Sequence, residues 1–168
     1  MSIEVLHLTN NDYGGAGIAA YNTHKNLAEM NINSRFLTLH KRTDNVDVIP
    51  FCENRFLSFY DKAKNALRKN IISPEKNYYF HGSWKNYVSD ISNINLDIFG
   101  NPKIIILYSM SGFMGLDLIN QLKNKFNSKI FWYLMDMNPF TGGCHYAWNC
   151  RGYELNCSQC PATKKNFH

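Results

Sequence analysis

No apolar run in this chain approaches the ~18 residues a membrane-spanning helix needs. The longest runs, 104–108 and 130–135, have the length of strands. The N-terminus lacks a basic segment, and Glu4 and His7 interrupt its apolar residues, so Met1–Val5 does not open a signal peptide. Internal repeats, low-complexity linkers and recognised nucleic-acid motifs are all missing. The 168 residues suffice for one domain with a core but not for two Rossmann-like halves. What remains is a single globular domain, expected to be cytoplasmic or to work at the inner face of the membrane. Its content of 45% hydrophobic and 14% aromatic residues excludes a disordered chain. A net charge of +5 suits anionic partners such as nucleotide-sugars or phospholipid head groups, and is modest for nucleic acid.

Read in order, the chain alternates strands and helices. Ile3–Leu8 reads as a first strand. A polar turn rich in glycine follows, Thr9 to Gly17, and then a helix over Ile18–Met30 with Ile18, Tyr21, Leu27 and Ala28 near one face. Strand, Gly-rich turn and helix form a unit suited to cradling phosphate. The glycines let backbone N–H groups approach an anion, and the helix N-terminus adds partial positive charge. G-G-x-G is not the full dinucleotide fingerprint, and the alternative is a tight turn that needs Gly only for positive φ.

Ser34–Leu39 reads as the second strand, and Val46–Phe51 as a short extended piece. Cys52 stands alone and reads as a small core residue. Phe56–Lys69 has the pattern of a basic amphipathic helix, facing either a core or an anionic membrane surface. Residues 71–100, rich in aromatics and Asn, allow either a loop insertion or a short helix pair. Pro102–Tyr108 has the continuous apolar character of a buried parallel strand. Ser109–Met114 reads as a turn, Leu116–Phe126 as a helix with Leu118, Ile119 and Leu122 inward, and Ile130–Met135 as another buried strand. This order predicts an α/β domain, Rossmann-like, with a right-handed, mostly parallel sheet and flanking helices.

At Asp136 the character changes. The next residues are Met137-Asn138-Pro139-Phe140-Thr141-Gly142-Gly143-Cys144-His145-Tyr146. Four of the five cysteines fall at 144, 150, 157 and 160, a C-x5-C-x6-C-x2-C pattern closing on Pro161. Cys157-x2-Cys160 has the bite of half a zinc site, and Cys144 and Cys150 complete four sulfurs, with His145 as a substitute ligand. Thiols packed in a loop, disulfides and an iron–sulfur cluster are the other readings. A four-sulfur zinc site has no open position, so it would be structural. Asp136, at a strand end, is the carboxylate best placed for catalysis or substrate positioning. The alternative is a turn residue that bonds nearby backbone N–H groups. No redox cofactor is suggested.

The run Asp136–Tyr146, with cysteines at fixed distances after it and Cys160-Pro161 at its end, resembles the close of the N-terminal domain of group 1 (family 4) glycosyltransferases. The similarity is to their bacterial exopolysaccharide and capsule branch. The resemblance implies the GT-B architecture, two Rossmann-like domains facing across a cleft. This chain corresponds to the first, acceptor-side half, with Cys144–Pro161 a Cys-rich loop and the nucleotide-sugar domain absent. It implies a retaining transfer of a sugar from a nucleotide-sugar donor to a hydroxyl of a glycan or lipid-linked acceptor. The second domain or a partner chain would be needed, and peripheral membrane contact fits a lipid-linked acceptor. By the same resemblance Gly14, Gly15 and Gly17 are donor-contact positions. Asp136 and His145 are the catalytic candidates, and Thr141, Gly142 and Gly143 shape the loop. The family's His before this Asp is Met135 here, and its His-Trp pair is Tyr108-Ser109. Neither a thioether nor a phenol replaces an imidazole near neutral pH. A non-catalytic, metal-stabilised module binding glycan or nucleic acid is the alternative reading.

Overall fold

The computed structural model describes residues 3–51, 91–93, 95–141, 143–157 and 160–161. Cys52, the basic segment Phe56–Lys69, most of the aromatic segment after Ile71 and Gly142 lie outside them. The chain divides into two compact units. The first contains the described residues 3–51 and 91–135, and the second contains those from 136 onward.

The first unit is an α/β sheet. Its strands are β1 (Val5–Asn11), β2 (Ser34–His40), β3 (Val48–Pro50), β4 (Ile104–Leu107) and β5 (Lys129–Trp132). All pair in parallel, in the order β3-β2-β1-β4-β5. The helices are α1 (Gly14–Glu29), between β1 and β2, and α2 (Leu116–Phe126), between β4 and β5. The strand order reverses at β1. From there the chain steps outward through β2 and β3, then returns to place β4 on the other side. Open α/β sheets of this kind bind ligands outside the carboxyl ends of the strands flanking such a reversal.

The two sheet faces differ in chemistry. One face carries Leu6, Leu8, Leu37, Leu39, Ile105 and Leu107, packed with Leu118, Ile119 and Leu122 of α2, all buried. Spacing i, i+1, i+4 puts those three α2 residues on one stripe, so this helix and its face are as the sequence pattern predicts. Asn127 closes α2 in the left-handed region, φ 51°, a conformation Asn adopts readily. The other face, toward α1, mixes polar and apolar residues: His7, Thr9 and Thr38 are fully buried there beside Phe36, Val48 and Ala20.

Three expectations change. α1 starts at Gly14, not Ile18, so the glycines lie within its first turns. Its buried positions are Gly17, Ala20 and His24, while Ile18 is 57% exposed. A histidine supplies part of the packed stripe, and counting only apolar residues rotates the face. β1 runs on to Asn11 because Thr9 and Asn11 pair with Thr38 and His40, and ladder bonds do not depend on side-chain polarity. Among the described residues β5 is an edge strand, and it is not a buried one. Ile130 and Trp132 pack on the core, whereas Phe131, Tyr133 and Leu134 are 53%, 50% and 58% exposed. The apolar run hides an in–out alternation. No helix among the described residues is long and apolar enough to cross a membrane.

Candidate functional site

In the first unit the polar end of β1 meets the start of α1. The N-cap, Tyr13, is extended and gives no side-chain cap, and no acidic residue lies in the first turn. Tyr13 thus leaves the leading N–H groups of α1 without a side-chain cap, and the helix field there favours an anion. Asp12, the nearest carboxylate, is turned elsewhere. It accepts from the Arg42 amide at 2.9 Å, the Thr43 amide at 2.9 Å and the Thr43 hydroxyl at 2.6 Å. Burial by itself would raise its carboxyl, but these donors outweigh it and hold the group below the ordinary carboxylate range. The Arg42 guanidinium lies 3.9 Å from the centre of the Tyr13 ring, which sets a cation beside the helix start.

The three glycines play different parts. Gly14 has φ 70°, and a Cβ at Gly14 or Gly15 would meet nothing within 4 Å. Both are exposed. Gly17 is buried, and a Cβ there would fall 2.5 Å from the Asp12 carbonyl carbon and 2.6 Å from the Asn11 oxygen. It lets helix and strand touch. Gly14 and Gly15 therefore leave the start of α1 open, and Gly17 is the packing glycine. Across the reversal, Asn10 ties β1 to the turn after β4. Its amide donates to the Ser109 carbonyl at 2.7 Å and its side chain to the Ser111 carbonyl at 2.6 Å.

Beneath α1 runs a buried polar layer that sequence reasoning missed. His7 Nδ1 is 3.0 Å from the Tyr108 hydroxyl, and His24 Nδ1 is 2.6 Å from the Ser34 hydroxyl. The two imidazoles meet edge to face at 5.7 Å. Burial, and then His24, push His7 down to about 3, so it is neutral near pH 7. Burial lowers His24 as well, against an opposing pull from Asp47, and raises the Tyr108 phenol. His7 Nε2 and the Thr9 and Thr38 hydroxyls find no hydrogen-bond partner among the described residues. Tyr108 is 3% exposed and stacks on Tyr133. It belongs to the core. The available signal was His7 itself, a titratable residue inside an apolar strand.

The second unit opens on a tight turn, and it brings the two catalytic candidates together. Asp136 Oδ2 lies 2.7 Å from His145 Nδ1, while Oδ1 accepts from the Asn138 amide at 2.9 Å. The Met137 amide donates to the His145 carbonyl at 2.8 Å, pinning the two ends of the turn. Asn138 is buried, and its side chain donates to the Gly143 carbonyl at 3.3 Å. The Thr141 hydroxyl donates to the Cys144 carbonyl at 3.0 Å and accepts from the Gly143 amide at 3.3 Å. Thr141 and Gly143 thus shape the turn, with Gly143 at φ 131°. Both Asp136 oxygens are engaged, and its side chain is 18% exposed against 36% for His145. The carboxylate orients the imidazole.

Cys144, Cys150, Cys157 and Cys160 all line one small hollow, with Gly152 and Tyr153. None is in a disulfide. Burial, and then the thiols of Cys160, Cys150 and Cys157, push Cys144 up to about 11. Among the described residues no group of three or more His, Cys, Asp or Glu that could hold a metal ion is found. Comparison with protein families, curated proteins and solved structures returns no match. Function is therefore argued from the residues and their geometry.

Proposed function

We propose that the chain is the acceptor-side domain of a retaining GT-B sugar transferase, moving a sugar from a nucleotide-sugar to a hydroxyl of a cell-surface glycan or lipid-linked acceptor. One observation carries the reading. At the reversal point of a parallel sheet, α1 begins on two exposed glycines with no side-chain cap and no acidic residue in its first turn. That arrangement suits a diphosphate. The likeness of Asp136–Tyr146 to the family's domain end supports it, as does the Asp136–His145 pair.

In this reading Gly14 and Gly15 admit the donor phosphates, and Arg42 adds a cation. His145 contacts an acceptor hydroxyl, with Asp136 as the positioning residue. Preorganised donors of this sort stabilise charge building on the leaving phosphate. A second Rossmann-like domain, or a partner chain, supplies the remaining nucleotide contacts.

The test is calorimetric titration with uridine and guanosine diphosphates, using the full chain and Gly15→Val. Gly15 faces open space, so the variant is expected to fold and to lose measurable binding. Equal binding by both proteins would remove the phosphate role of this turn.

A further inference from the structure

We propose that Cys144, Cys150, Cys157 and Cys160 hold one zinc ion as four thiolates, a closed structural site within the second unit. The proposal is independent of sugar transfer. Its first support is convergence. Four cysteines spread over the C-x5-C-x6-C-x2-C pattern face one hollow and remain outside disulfides. Soft thiolates in a set of four select zinc in a tetrahedron.

The second support is the backbone around the sulfurs. The Gly152 amide donates to Cys150 Sγ at 3.4 Å. A Cβ on Gly152 would lie 3.4 Å from that sulfur and 3.6 Å from Cys157 Cα, so the bare glycine backbone is laid between two of the cysteines. An N–H directed at sulfur orients it, as outer partners of metal ligands do. The Gly152 carbonyl accepts from the Cys157 amide at 2.9 Å, tying the second half of the set to the first.

The third support is the sparse apolar burial among the described residues from 136 onward. From residue 136 onward, the buried described residues are Asn138, Gly143, Cys144 and Ala147, and Trp148 and Leu155 are 70% and 88% exposed. A segment with so little apolar burial needs a cross-link to hold one conformation.

Among the described residues the set is not already closed, so the ion draws the sulfurs inward rather than entering a finished cage. Four S–H bonds give way to four Zn–S bonds of ~2.3 Å, four protons leave to water, and the site carries a charge of about −2. No oxidant or reductant takes part.

The experiment uses the full chain purified without added metal. Elemental analysis is expected to find zinc at about one equivalent. After chelation, cobalt(II) alone should restore the intense sulfur-to-metal charge-transfer bands of a tetrahedral thiolate site. Cys150→Ser and Cys157→Ser should each weaken cobalt binding by at least about tenfold. Cys52→Ser, outside the set, should bind like the parent. If a serine variant fails to fold, the cobalt spectrum of the parent decides. Three results would overturn the site: a folded, metal-free protein with four reactive thiols, a disulfide within the set, or an iron–sulfur chromophore.

Discussion

The buried histidine His7 gives the sheet unit a calculable acid sensitivity. Its ordinary value of 6.5 falls to about 3 in the fold, first through burial and then through His24. Between these values the unfolded chain binds a proton that the native state refuses. Stability contributed by the neutral imidazole is therefore complete above pH 6.5 and declines as pH falls toward 3. Each pH unit in that window costs about 1.4 kcal/mol, so going from about pH 7 to pH 4.5 removes roughly 2–3 kcal/mol. His24 acts in the same direction, and Tyr108, Thr23 and Ser34 are uncharged neighbours that do not reverse it. His7→Asn isolates the effect, since an amide can still meet the Tyr108 hydroxyl but does not titrate. At pH 7 the variant should be less stable by about 1–3 kcal/mol, the usual cost of a poorly replaced buried polar group. At pH 4.5 that gap should close by roughly 2–3 kcal/mol. Hydrogen exchange of the β1 amides, read across pH for both proteins, reports this unit alone. A gap that stays constant from pH 7 to pH 4.5 would refute a neutral, buried His7.

Other outcomes are as specific. Gly15→Ala should stabilise the chain by about 0.5–1 kcal/mol, because the site is open and Ala suits a helix better. Gly17→Ala should instead cost roughly 1–3 kcal/mol or more, since its Cβ meets β1 backbone that cannot yield, and thermal melts of the two separate them. Asp136→Asn should leave the sheet unit's melting unchanged and alter the imidazole nitrogen shifts of His145 by NMR, because the carboxylate orients that ring. The 168-residue chain alone should transfer no sugar at enzymatic rates. Turnover by the isolated chain would refute the need for a second domain.

The sequence alone determined the elements whose signals are local. Leu118, Ile119 and Leu122 share one stripe of α2, and Asn127 ends it, because helix periodicity and a left-handed cap are properties of a few neighbouring residues. The apolar run 104–108 was enough to mark β4, and the alternation of strands and helices was enough for a parallel α/β sheet. The strand order was decided by tertiary structure, and with it the meeting of β1, β4 and the start of α1. So was the edge position of β5, which exposes Phe131 although its run reads as buried. The polar face under α1 was not legible either. His7, Thr9 and Thr38 look solvent-bound one at a time, and only packing by α1 takes them out of water. In the second unit, the spacing named Asp136, His145 and the four cysteines, but distance along the chain does not fix distance in space. The 2.7 Å contact of Asp136 with His145, and the hollow shared by the four sulfurs, come from turns whose bonds run through Asn138, Thr141 and Gly152.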